Sequence, residues 1–118
     1  PTNNTLTLGS TYTFNSFTGL NNAGHYQIAA MTNSNYPMMN YTFGTGTVTS
    51  GIYNITAWPT AATDITVQFA TSSSAISSPS SGQVYVNVSG SSITCTMCSV
   101  TFSGSAGSGS ATSKVTKP

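Results

Sequence analysis

The sequence predicts an all-β protein, an antiparallel β-sandwich of about eight or nine short strands. Three observations carry this. Apolar residues recur at every second position, most clearly over residues 82–104, where Val84, Val86 and Val88 alternate with Gln83, Tyr85 and Asn87. A Ser-Gly turn follows, and Ile93, Cys95 and Met97 then alternate with Thr94 and Thr96, which is the pattern of a β-hairpin. Small polar turns break such runs at intervals of roughly 8–12 residues, and no window carries a helical period. At 118 residues the chain is a single domain, long enough to bury a core without metal or many disulfides.

Residues 1–14 open on a polar lead, continue with Leu6 and Leu8, break at Gly9-Ser10, and resume with Tyr12 and Phe14, which reads as two strands in a hairpin. Residues 19–24 (GLNNAG) tolerate positive φ and read as a turn or loop. Residues 25–31 (HYQIAAM) place Tyr26, Ile28 and Ala30 on one face. Residues 33–37 form a loop, since Pro37 cannot donate to a central ladder. Residues 38–43 align Met39, Tyr41 and Phe43, and GTGTVTSG after them is a connection or a weak edge strand. Residues 51–58 align Tyr53, Ile55 and Ala57, with Pro59 as terminator. Residues 64–70 put Ile65, Val67 and Phe69 inward, and residues 72–81 read as a loop. The hairpin over 82–104 is followed by SGSAGSGS and a last run at 111–115. Residues 104–110 are therefore either a turn or a linker to a free tail.

Charged residues make up 3% of the chain (Asp64, Lys114 and Lys117), against about 25% in an ordinary domain. No basic stripe exists to neutralise phosphates, which argues against nucleic acid as a partner. Anionic lipid and charged ligands are likewise steered weakly. A net charge of +1 provides little repulsion between copies. Such a surface suits a protein that packs against itself, sits anchored or carries glycan; an ordinary Ser/Thr-rich secreted domain is the plainer reading. No stretch approaches the ~20 apolar residues of a membrane-spanning helix. The chain opens on Pro1 rather than Met, which leaves room for an export signal removed ahead of this numbering, and the composition points to the extracellular space or cell surface.

Little here can do acid–base chemistry. His25 is the single histidine and Asp64 the single side-chain carboxylate, so paired-carboxylate glycoside chemistry is excluded. A Ser-His-Asp set can be written from His25 and Asp64, but no serine lies in a nucleophile-elbow motif. His25 reads as a strand start and Asp64 as a turn residue. No catalytic, cofactor-binding or metal-binding residue is assigned: a structural zinc site wants four Cys/His ligands and calcium wants several carboxylates.

Cys95 and Cys98 lie on a parity change. Ile93, Cys95 and Met97 are odd, while Val100 and Phe102 are even, so keeping both sets inward requires a one-residue β-bulge near Cys98. On a regular strand the two cysteines point to opposite faces about 10 Å apart, too far for a disulfide. A bulge or tight turn brings them closer. They are either buried thiols acting as small hydrophobes or a candidate local disulfide, and the helix N-terminus that a redox CxxC uses is not predicted.

Sequons occur at Asn3, Asn40, Asn54 and Asn87; Asn54 and Asn87 fall on the polar parity of their strands. Most aromatic rings sit in the apolar phase. Tyr36, in a loop, Tyr85, out of phase with its valines, and Trp58 are the candidate glycan contacts.

The segments TLTLGSTYTF, SGIYNITAWP and SGQVYVNVSGSSITCTMCSVTFSG, followed by a Gly/Ser turn and a short last strand, resemble the small secreted or lipid-anchored β-domain proteins of Bacteroidota-type bacteria. The resemblance implies an Ig-like or sandwich domain exported to the cell surface, of unassigned function. Such relatives usually carry Val or Phe where this chain has Cys95 and Cys98, and the lipidated Cys that would anchor one is not among these residues. The expectation is a non-enzymatic extracellular structural protein: a self-associating surface or filament (pilus-like) subunit whose partners are copies of itself. Assembly would be by β-strand addition, with residues 1–10 as an exchangeable strand and Leu6 and Leu8 as its apolar pair. The alternative is a carbohydrate-binding or adhesive module whose partners are surface glycans.

Overall fold

A computed structural model describes residues 3–118. Its strands are β1 (Thr5–Leu8), β2 (Ser10–Thr13), β3 (Ser16–Asn22), β4 (His25–Met31), β5 (Met38–Phe43), β6 (Gly51–Ile55), β7 (Asp64–Ser72), β8 (Ala75–Ser78), β9 (Gln83–Ser89), β10 (Ser92–Gly104) and β11 (Gly109–Lys117). The protein is all-β, and no helix among the described residues is long and apolar enough to cross a membrane.

The strands form one hydrogen-bonded sheet in the order β2-β1-β11-β10-β9-β6-β7-β5-β4-β3. Every pairing is antiparallel except β6 with β7, which run parallel through Asn54↔Asp64 and Ile55↔Ile65. The sheet is therefore mixed rather than purely antiparallel. β8 pairs with β7 on one side and β10 on the other, so β10, β9, β6, β7 and β8 close a ring of strands. Closure leaves two open ends, β2 and β3, which are consecutive in the chain and separated only by Phe14 and Asn15.

Alternation fills the interior as the sequence requires. Leu6, Ile28, Met39, Tyr41, Phe43, Ile65, Val67, Phe69, Val84 and Met97 are at most 1% exposed and belong to one cluster. Each apolar side chain of this size withdrawn from water contributes about 1.5–3 kcal/mol. Tyr41 brings a cost into this core, because its buried hydroxyl makes no hydrogen bond of good geometry and has only the nearby Ser113 side chain as a weak partner. Burial drives its pKa upward, Cys95 beside it adds to the rise, and Ser113 opposes it.

The bulge falls where the parity change demands it. Between Met97↔Ser113 and Val100↔Ala111 the register of β10 against β11 slips, and Ser99 takes φ +53°. The slip carries Val100 and Phe102 inward and turns Cys98 out to solvent.

Three expectations are corrected. Residues 19–22 are not a loop: β3 extends to Asn22, and Ala23 (φ +53°) and Gly24 (φ +83°) form a two-residue reversal that pairs Asn22 with His25. The Asn/Gly-rich sequence signals the turn, but the ladder with β4 carries the strand through it. Residues 72–81 contain β8, held because it bridges β7 and β10. The strand from 51 ends at Ile55 rather than at Trp58: Thr56 N–H to Ile65 O (2.9 Å) is the last bond of the parallel ladder, after which Thr56 Oγ1–H donates to Trp58 O (3.1 Å) and Ala57 is exposed. Of the two readings of the Gly/Ser stretch, the turn is the one seen: it joins β10 to β11, and β11 is paired on both sides by β1 and β10.

Candidate functional site

β1 inserts between β11 and β2 of the same chain. Gly9, at φ +72°, makes the tight reversal that sets Leu8 opposite Ser10. Leu6 and Leu8 enter the core, the buried Ser113 hydroxyl donates to Thr5 O (2.8 Å), and Thr116 N–H donates to Asn4 Oδ1 (2.9 Å). Of the expected exchangeable segment 1–10, residues 1–2 lie outside the described residues; the rest occupies its own chain's slot. β2, the edge strand beyond it, has four residues.

The other edge, β3, has seven residues without charge or proline, and Thr18 through Asn22 are all exposed. Natural edges are usually shielded by Lys, Pro, bulges or brevity. β2 is short; β3 has none of these devices in its sequence, and it displays Leu20 at 62% exposure. The sequence reading missed this edge, because GLNNAG scored as loop.

A second feature is the corner that presents Trp58. The loop 56–63 is tied at several points: Thr56 Oγ1–H donates to Trp58 O (3.1 Å) and Thr66 Oγ1–H to Thr56 O (2.9 Å). Asp64 Oδ2 accepts from the N–H of Ala61 (2.9 Å), the N–H of Thr60 (3.1 Å) and Thr60 Oγ1 (3.3 Å). The Ala61 amide, then that of Thr60, holds the Asp64 carboxyl below the ordinary carboxylate range, because each bond favours the charged form. The loop also lies close over Gly44, where any Cβ would overlap the Ala61 carbonyl. The Trp58 ring, 61% exposed, meets the edge of the His25 ring at 5.3 Å between centroids. His25 Nδ1 lies 2.8 Å from Phe43 O, and a carbonyl only accepts, so Nδ1 carries a proton and donates. No hydrogen bond joins His25 to Asp64.

The three candidate glycan contacts are not brought together. Tyr36 lies in the loop preceding β5, at the opposite end of that strand from Phe43, His25 and Trp58. Tyr85 stands on the outer face of β9, 47% exposed and directly opposite Ile52 of β6, itself 51% exposed. Asn3, Asn54 and Asn87 are exposed, and Asn40 is half-buried with its amide donating to Met38 Sδ (3.3 Å). Cys95 is buried and its thiol pKa pushed up to about 12 by desolvation, whereas Cys98 is exposed; both are free thiols, and the candidate disulfide between them is not formed. No group of three or more His, Cys, Asp or Glu converges among the described residues. Comparison with protein-family models, curated proteins and solved structures yields no match.

Proposed function

We propose that this is a non-enzymatic extracellular structural protein, a surface or filament subunit that associates with copies of itself by β-strand addition. The observation that carries the reading is the pair of open strands, β2 and β3, side by side in the chain on a surface with almost no charge. A seven-residue edge with no charge of its own offers main-chain donors and acceptors to another strand, and the net charge of +1 opposes a second copy only weakly, although Lys117 of β11 lies close to Gly19. β1 adds a route to longer assemblies: its slot between β11 and β2 would take the same segment from a neighbour, and a head-to-tail exchange of this kind builds an open filament when its rotation does not close a ring. We keep a sandwich-like, Ig-like arrangement of two facing walls as the working architecture. It is supported by Tyr12 of β2 against Phe69 of β7 (4.8 Å), a contact between strands far apart in the sheet order. Light scattering coupled to size exclusion, together with negative-stain imaging, tests the reading: discrete oligomers or fibres are expected, and a strict monomer at high concentration sinks it.

The second reading, a carbohydrate-binding or adhesive surface module, is favoured by Trp58. A mostly exposed indole on a loop fixed by Asp64 and closely packed over Gly44 is a preformed stacking surface, with the His25 ring at its side. Glycan-array binding that disappears in Trp58→Ala supports this reading, and silence on a broad array removes it.

A further inference from the structure

We propose that the pocket walled by Tyr26, Val48, Val88 and Ile93 binds one neutral sugar ring, the terminal residue of a glycan. The proposal rests on the carbohydrate-binding reading and moves its site away from Trp58. The pocket opens where the connection 44–50 meets the β9–β10 turn, and Gly46, Thr47, Gly90 and Ser91 complete its lining. Tyr26 and His25 are neighbours on β4, so their side chains leave opposite faces of that strand. The pocket and the Trp58 corner are therefore separate.

Size, lining and rigidity point to the same occupant. The volume, about 270 Å³, falls just under the ~300 Å³ at which ordinary small-molecule sites begin, which leaves room for one ring rather than a chain of them. Half of the lining residues bring an aromatic ring and three aliphatic side chains, which suit the C–H face of a pyranose. The remaining lining, Thr47 and Ser91 with two glycines, brings hydroxyl-bearing residues and backbone, which suits sugar hydroxyls better than an acyl chain. No charged side chain lines the pocket, so a neutral ligand enters without leaving an unpaired charge behind.

The walls are fixed before any ligand arrives. Tyr26 N–H donates to Thr45 O (2.9 Å), Asn21 Nδ2–H to Gly46 O (3.3 Å) and Val88 N–H to Ser50 Oγ (2.8 Å), which fastens the connection between β4 and β9 at three points. Little ordering cost is left for binding.

The test is an amide chemical-shift titration of the full ¹⁵N-labelled chain with methyl β-galactoside, methyl α-mannoside and methyl β-N-acetylglucosaminide. Saturable shifts at Gly46, Thr47, Gly90 and Ser91 with at least one glycoside are expected. Ser91→Trp, which fills the mouth from an exposed turn position, should abolish them while the rest of the spectrum is retained. Tyr26→Ala should weaken binding about tenfold or more, the loss of one stacking surface. Shifts centred on the Trp58 indole with a silent pocket overturn this site and leave the carbohydrate reading standing. No saturable shift anywhere, with a silent glycan array, overturns both. Unchanged binding by Ser91→Trp overturns the site as well.

Discussion

Removing β1 tests whether the slot between β11 and β2 is a strand-acceptor site. A chain starting at Ser10 loses Leu6 and Leu8, 0% and 5% exposed, each about 1.5–3 kcal/mol of buried apolar surface. It also loses the bonds from Ser113 Oγ to Thr5 O, from Thr116 N to Asn4 Oδ1 and from Phe14 N to Asn4 O, each about 0.5–1.5 kcal/mol net. The combined loss, on the order of 4–10 kcal/mol, is comparable with the ~5–15 kcal/mol that holds a domain of this size folded. β2 is left without a partner as well, since β1 is the strand it pairs with. Urea denaturation followed by circular dichroism and by the single Trp58 should therefore find the truncated chain mostly unfolded or greatly weakened. A synthetic peptide of residues 3–9, NNTLTLG, should restore the fold in trans, and the same peptide with Leu6→Ser and Leu8→Ser should not. A truncated chain within about 1 kcal/mol of the full protein would refute the assigned weight of β1. Equal rescue by the serine peptide would refute recognition of the strand by its leucines.

Three further outcomes are expected. Tyr41→Phe removes a buried hydroxyl that has no well-formed hydrogen bond, only a weak interaction with Ser113, so stability should hold or rise by about 1 kcal/mol, a Tm gain of roughly 2–6 °C; a loss beyond about 1 kcal/mol would show that the hydroxyl is firmly bonded. Asp64 has a folded pKa below its unfolded value, so its contribution is fully present above the ordinary carboxylate pKa and is lost as pH falls through the folded one. Trp58 emission should accordingly change on acidification below the ordinary carboxylate range in the native protein. A matching transition in Asp64→Asn would exclude Asp64 as its source. A thiol reagent should modify Cys98 alone in the folded protein and reach Cys95 only on unfolding, because Cys95 is buried and its pKa is raised to about 12; two fast-reacting thiols in the native state would contradict this placement.

Period-2 alternation settled which side chains face inward, because a strand's pleat offers only two faces and one of them must be dry. Met39, Tyr41 and Phe43, and likewise Ile65, Val67 and Phe69, lie in the core for that reason. The same counting located the bulge, since Ile93, Cys95, Met97, Val100 and Phe102 cannot all face inward in one register. It was silent on which strand neighbours which. β8 exists because β7 and β10 flank it, and its Ser-rich sequence has little strand character of its own. The parallel pairing of β6 with β7, the two open edges at β2 and β3, and the contact of Trp58 with His25 join segments that no local pattern links. The Tyr26 pocket is of the same kind, assembled from β4, the 44–50 connection and the β9–β10 hairpin. Local chemistry thus determined the strands and their inward faces, while the tertiary structure decided the edges, the exposed indole and the pocket, because those depend on which distant backbones share hydrogen bonds.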